Sequence, residues 1–231
     1  MKFRRYAIIS FIGFAFVAIA LAVWKRPRES VTQNAMRQAI RETPIQSPYQ
    51  RELLKRARHS HVIDVAYDEY TEKWRRDQNG FDANLLRGVA AEYLGVDGMR
   101  PKLSARYEWI YRTDLFQTAG ACLEKAVQIN PQSSVANMEY GFFLWQFGYK
   151  MPEGIALLQK AAGQAPSDPH VHELLGNVYA NPSVDSYDPK KAIHELNLAI
   201  LLDPEDSFSR EILANLYHRL DKTPHGVIKR R

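Results

Sequence analysis

The chain has 231 residues, 45% hydrophobic and 25% charged, which is room for one membrane segment and one domain of ordinary size. Its single cysteine, Cys122, excludes an intrachain disulfide framework but leaves the compartment open. The net charge of +5 is unevenly placed: residues 1–60 hold 12 Lys/Arg against 3 Asp/Glu, and residues 61–231 hold 19 against 23. A nucleic-acid binder would carry its basic patch on the folded module, so the near-neutral main domain argues against one. A basic excess confined to the N-terminal region suits proximity to anionic headgroups.

In chain order, a short basic tail (1–6) precedes "AIISFIGFAFVAIALAVW", residues 7–24, which contains no charge. About 18–20 such residues in a helix cross a hydrocarbon core of about 30 Å. Tyr6 and Trp24 stand at the two ends, where interfacial aromatics belong, and Lys2, Arg4, Arg5 and Lys25, Arg26, Arg28 flank them. Ala18 and Ala20 resemble a signal-peptide cleavage site. The apolar run continues past them into a basic stop, however, so an uncleaved transmembrane helix is expected. Both flanks are basic. The short tail favours an N-terminus inside and an extracytoplasmic (periplasmic) soluble domain, while Arg37 and Arg41 act against that orientation.

Residues 25–46 read as a basic linker with a polar helix over about 30–42, ended by Thr43-Pro44. Ser47 is placed as an N-cap, with Pro48 at the first helical position and Gln50 completing a capping box. The helix so started runs to Arg76. It has Leu54, Ala57, His61, Val62 and Val65 on one face, and Asp68 and Glu69 shorten that apolar stripe. Asn79-Gly80 breaks it, Asp82 caps the next helix, and that helix ends near Gly95. The segment 47–100 is therefore a helical cap or a set of degenerate repeats. A loop at 96–102 leads to a helical pattern from about 103 to 130, and no period-2 strand signal is sustained anywhere.

From there the chain repeats. Twelve, eight and five residues before Pro131 stand Ala119, Leu123 and Ala126; before Pro166, Gly154, Leu158 and Ala161; before Pro204, Ala192, Leu196 and Ala199. Nine, ten and thirteen residues after the same prolines stand Tyr140, Gly141, Leu144; Leu175, Gly176, Tyr179; and Leu213, Ala214, Tyr217. Small residues let two helices approach, large apolar ones fill the space between them, and the proline turns the chain into the next pair. Such pairs bury their apolar faces only by stacking.

This pattern resembles the tetratricopeptide repeat (TPR), whose period is about 34 residues; the proline spacings here are 35 and 38. The longer unit carries its extra residues at 181–189, "NPSVDSYDP". The large aromatic that the family places early in its first helix is replaced by Asn137, His172 and Arg210. The resemblance implies an all-α chain in which a transmembrane helix is followed by a TPR-like α-solenoid over 101–220 and a basic tail at 221–231. Helix pairs are expected at 103–130, 134–165 and 168–203, with a capping helix at 206–220.

The resemblance also implies a concave groove lined by the first helix of each pair. Its walls would be Val135, Met138, Phe142, Trp145 and Gln146; then His170, Glu173, Asn177 and Asn181; then Phe208, Glu211, Asn215, His218 and Arg219. Aromatic anchors beside adaptable amides suit a peptide or a partner helix. Some family members clamp a partner's C-terminal carboxylates with lysines and asparagines. Here Asn177 and Asn215 lie in the groove without lysines, and Phe208 and Ile212 occupy the places of basic residues.

No phosphate loop, G-x-S-x-G or H-E-x-x-H occurs, and no catalytic residue, cofactor or metal is expected. The pairs "HSH" (59–61) and "HVH" (170–172) diverge on a helix, and Cys122 reads as a small core residue. The expected function is a membrane-anchored scaffold binding other proteins, as an accessory or assembly subunit of a larger membrane complex, with lipid contact through anchor and linker. The alternatives are a helical enzyme with its site in 47–114 or a cytoplasmic membrane-bound co-chaperone, the latter weakened by the missing clamp.

Overall fold

A computed structural model describes residues 31–46, 49–97, 105–147 and 150–222. Among these the backbone forms ten helices and no strand. The expected anchor at 7–24, the tails at 1–6 and 223–231, and Ser47 and Pro48 lie outside the described residues. Within the described residues no helix is long and apolar enough to cross a membrane.

The first three helices, α1 (Val31–Glu42), α2 (Tyr49–His59) and α3 (Ile63–Arg76), pack on one another, and α2 and α3 also pack on α4 (Phe81–Asp97). The linker expected over 25–46 is in its second half a structural element. Met36 and Ile40, four apart on one face of α1, are buried in the core, and the basic face of the same helix engages α3. There the buried Glu69 accepts hydrogen bonds from Arg37 and from Arg41, the latter at 2.7 and 2.9 Å. Sequence reasoning counted Glu69 as an interruption of an apolar stripe. It is instead an ion-paired core residue, and the stripe continues through Ala66 and Tyr70.

Gln50 likewise has a longer-range role than the capping box assigned to it. Its amide donates to the carbonyls of Thr43 (2.8 Å) and Ile40 (3.3 Å), and its oxygen accepts from the Tyr70 hydroxyl at 2.9 Å. It thus satisfies orphan carbonyls at the end of α1. The single helix expected from 47 to 76 is two. At their junction His61 adopts φ 57°, and Val62 N–H closes on Ala57 O at 2.9 Å, a left-handed helix stop. His61 is therefore exposed in the turn, away from the apolar face proposed for it. Asp82 lies inside the first turn of α4; Asn84 ties that turn down by donating to Gln78 O (2.9 Å) and Gly80 O (2.8 Å).

The repeats begin earlier than expected. The segment 103–130 is one helix, α5 (Ala105–Ile129), not a pair. Its partner is α4, and Gly88 of α4 lies so close to α5 that a Cβ there would stand 2.8 Å from the Leu123 side chain. Gly141 and Gly176 meet the later pairs in the same way, so Gly88 is the first of three equivalent contacts. The pairs are then α4–α5, α6 (Ser134–Gln146) with α7 (Met151–Gln164), and α8 (Pro169–Ala180) with α9 (Pro189–Leu202), followed by α10 (Ser207–Lys222).

Each turn between pairs is built alike. Two residues after the proline, Ser133, Asp168 and Asp206 donate their N–H to Asn130, Ala165 and Asp203 carbonyls at 3.0–3.1 Å. Their side chains then accept from the first turn of the next helix, at Ala136 N, His170 N and Ser209 N. The missing family aromatic is explained here at two of its three positions. Asn137 donates to Pro131 O at 3.0 Å and the His172 ring bonds Pro166 O at 3.0 Å, so polar side chains lock the turn in place of an apolar plug. The extra residues at 181–188 form the loop between α8 and α9, and Asp188 N–H returns to Tyr179 O at 3.0 Å.

Two cores result. The first runs from Met36 to Leu144 and the second from Met138 to Leu216. Helix α6 belongs to both, offering Tyr140, Phe143 and Leu144 to the first and Met138 to the second. In α10, Ala214 and Tyr217 are exposed although Gly141, Gly176, Leu144 and Tyr179 at the equivalent positions are buried. The earlier residues are covered by the second helix of their own pair, and the described chain has none after α10.

Candidate functional site

The inner helices α4, α6, α8 and α10 each turn one face toward a shared concavity of about 410 Å³, and Arg58 from α2 closes one end. Of the residues singled out from sequence, Phe142, Trp145, Gln146, His170, Glu173, Asn177 and Phe208 line it. Phe142 and Trp145, three apart on α6, stack with ring centroids 5.5 Å apart and planes 28° from parallel. Phe208 from α10 is 48% exposed, more than a side chain held by the chain's own packing would be. The indole N–H of Trp145 is buried without a hydrogen-bond partner.

Seven of the predicted residues fall elsewhere, among them Val135, which packs on the first core. Met138 is 1% exposed and belongs to the second core, because its position on α6 faces α8 and α10 rather than the open side. Asn215 lines a neighbouring shallower depression of about 430 Å³ with Asn177, Asn181, Ile212, His218 and Arg219. Glu211 is exposed and lines neither.

The groove also contains residues that sequence reasoning missed: Arg58, Glu92, Tyr93 and Glu139. Three of these come from α2 and α4, in the segment read from sequence as a helical cap or degenerate repeats. Glu139 lies on α6, one residue after Met138, and no periodicity distinguishes it from a solvated charge. Arg58 donates to Asp97 at 2.9 and 3.3 Å and stacks over the Tyr93 ring at 4.3 Å. Glu139 accepts from Arg51 at 3.4 Å. Glu92 is 5% exposed, and burial, reinforced by the Glu139 carboxylate, pushes its pKa up to about 8. On the opposite wall the His170 ring meets Glu173 at 3.2 Å; burial opposes its protonation, but Glu173 outweighs burial and raises its pKa.

The two histidine pairs serve separate structural contacts. The His170 ring faces the groove, while His172 bonds Glu195 at 2.7 Å and Pro166 O. His59 meets Lys55 O on its own helix, and His61 sits in the turn. Among the described residues no group of three metal-binding side chains occurs. Cys122 is buried, and Arg87 from α4 reaches its sulfur at 3.3 Å, a neighbour that sequence spacing does not reveal. Burial pushes the thiol pKa up despite that guanidinium.

Antiparallel helix pairs stacked through small-residue contacts, with their first helices lining one concave face, define the fold of a tetratricopeptide-repeat solenoid. The chain is similar in structure to TTC0263, a TPR protein of Thermus thermophilus, with a TM-score of 0.59 and 16% identity over 80% of this chain and 89% of that one. It is also similar to MamA from Desulfovibrio magneticus RS-1 (TM-score 0.51, 22% identity, 74% of this chain and 84% of that one). At these identities the likeness is one of fold. No protein-family model matches the chain, and no curated protein matches it in sequence.

Proposed function

We propose that the protein is a membrane-anchored scaffold that holds other proteins in the groove of its TPR-like solenoid. It would act as an accessory or assembly subunit of a larger membrane complex, of the respiratory, photosynthetic, secretion or cytochrome-maturation kind. The observation that carries this reading is the stacked Phe142–Trp145 pair, open to a concavity that the half-exposed Phe208 faces from another helix. Burying such aromatics against a partner contributes about 1.5–3 kcal/mol each. The chemistry of the groove is recognition, with no nucleophile–base pair among its lining residues.

The anchor rests on the uncharged run 7–24 and its basic flanks, with the N-terminus inside and the domain extracytoplasmic. Tethering raises the effective concentration of the groove beside membrane partners, so modest contacts suffice, and the basic residues after the anchor add attraction to anionic lipid. The test is co-purification from membranes in mild detergent. Phe142→Ala with Trp145→Ala is expected to lose the retained partner while the helical circular dichroism of the same preparation persists. Unchanged retention would move the binding surface off the groove.

A further inference from the structure

Two polar groups at the groove lack what burial normally demands. The Trp145 indole N–H is buried with no acceptor. The Glu92 side chain is about 95% buried, and no hydrogen bond to its carboxyl is formed among the described residues. Natural interiors rarely leave such groups unpaired unless something else completes them. Both line the same concavity.

The charges around Glu92 identify what would complete it. Arg58 lines the same groove, but its guanidinium is engaged by Asp97 and sits over the Tyr93 ring. Glu139, the other charge acting on Glu92, is a carboxylate whose one ion pair, to Arg51, spans 3.4 Å. Across the groove Glu173 contributes a third carboxylate, shared with His170. Stacked aromatic faces stand beside these carboxylates. Carboxylates and aromatic faces around one unneutralised buried carboxyl attract a cation and repel an acidic segment.

Resting on the scaffold reading, we propose that the groove recognises a partner segment by inserting one of its Lys or Arg side chains between Glu92, Glu139 and the Phe142–Trp145 stack. The Trp145 N–H then donates to a carbonyl of that segment. The carboxyl of Glu92, protonated over much of the neutral range in the unbound protein, ionises on contact with the cation. Binding therefore releases up to one proton and tightens as pH rises toward 8.

The test uses the full chain in lipid nanodiscs against a phage-displayed library of random dodecapeptides. It compares the wild type, Glu92→Gln, and Phe142→Ala with Trp145→Ala. Selected peptides are expected to carry Lys or Arg at one fixed position flanked by apolar residues. Their synthetic versions should bind Glu92→Gln at least about tenfold more weakly and the wild type about tenfold more tightly at pH 8.5 than at pH 6. The pH dependence is expected to be lost in Glu92→Gln, which separates it from titration of His170 in the same groove. Peptides that depend on Phe142 and Trp145 but show no basic position, or bind Glu92→Gln as well as wild type, would overturn the cation inference and leave the groove standing. A library yielding no groove-dependent peptide would overturn both.

Discussion

Helix α7 contains two glycines that should respond oppositely to the same substitution. Alanine is favoured over glycine inside a helix by about 0.8–1 kcal/mol. At Gly163 nothing lies within 4 Å of an added methyl, so Gly163→Ala should stabilise by roughly that amount. At Gly154 the same methyl would stand 2.5 Å from Gly141 O, 2.9 Å from Trp145 N and 3.2 Å from Leu144 Cβ. The two nearest atoms are backbone and cannot rotate away. Relief requires α6 and α7 to separate by several tenths of an ångström over the buried Leu144 and Leu158. Against backbone atoms the overpacking cost falls in the upper part of the usual range, about 2–3 kcal/mol, so Gly154→Ala should lose about 1–2 kcal/mol after the propensity gain. At about 2–4 °C per kcal/mol for a domain of this size, the thermal midpoint should fall by about 2–8 °C for Gly154→Ala and rise by about 2–4 °C for Gly163→Ala. Melts followed by far-ultraviolet circular dichroism decide it. A Gly154→Ala midpoint at or above wild type would refute the close helix contact on which the repeat register rests.

Glu92→Gln should stabilise the protein increasingly as pH rises. The folded-state pKa of about 8 lies above the ordinary 4.5, so the wild type loses stability between those values, by up to about 5 kcal/mol, while the amide does not titrate. Urea midpoints that run parallel from pH 5 to pH 8 would contradict a buried, uncompensated carboxyl. Glu69→Gln should destabilise by about 1–3 kcal/mol, less than a fully buried pair because Arg41 is largely exposed and screened. Arg41 and Arg37 hold the Glu69 pKa below 4.5 against burial, so its contribution is present above that value and lost as pH falls through the folded value; the variant should lack this acid-sensitive component in melts from pH 5 to pH 2.5. Protein recovered from membranes should resist alkaline carbonate and begin at or near Met1. An N-terminus near residue 21 would make the apolar run a cleaved signal.

The solenoid from α6 to α10 was legible because proline turns and small-residue contacts act locally and recur at fixed offsets. What lay before it was not, since its logic is long-range. Gly88 carries the same helix contact as Gly141, but no proline stands ten residues before it to announce the register. Gln50 and Glu69 read as a cap and a stripe-breaker because their partners, Thr43 and Tyr70 in one case and Arg37 and Arg41 in the other, come from helices whose packing no periodicity reveals. The groove was half visible for the same reason. Phe142, Trp145 and Phe208 fall on α6 and α10, within the recognised repeats, whereas Glu92 and Tyr93 lie on a helix read as a cap or degenerate repeat. Met138 shares the heptad-like spacing of Phe142 and Trp145, yet a helix touching two neighbours buries one end of such a stripe and opens the other.

Site-specific photocrosslinking in native membranes tests the scaffold account most directly. A photoreactive residue is placed at Phe142, inside the groove, or at Lys160, exposed on the second helix of the same pair. The account predicts discrete protein adducts from Phe142 that disappear with Trp145→Ala, and no such adducts from Lys160. Adducts from Lys160 with none from Phe142 would contradict it.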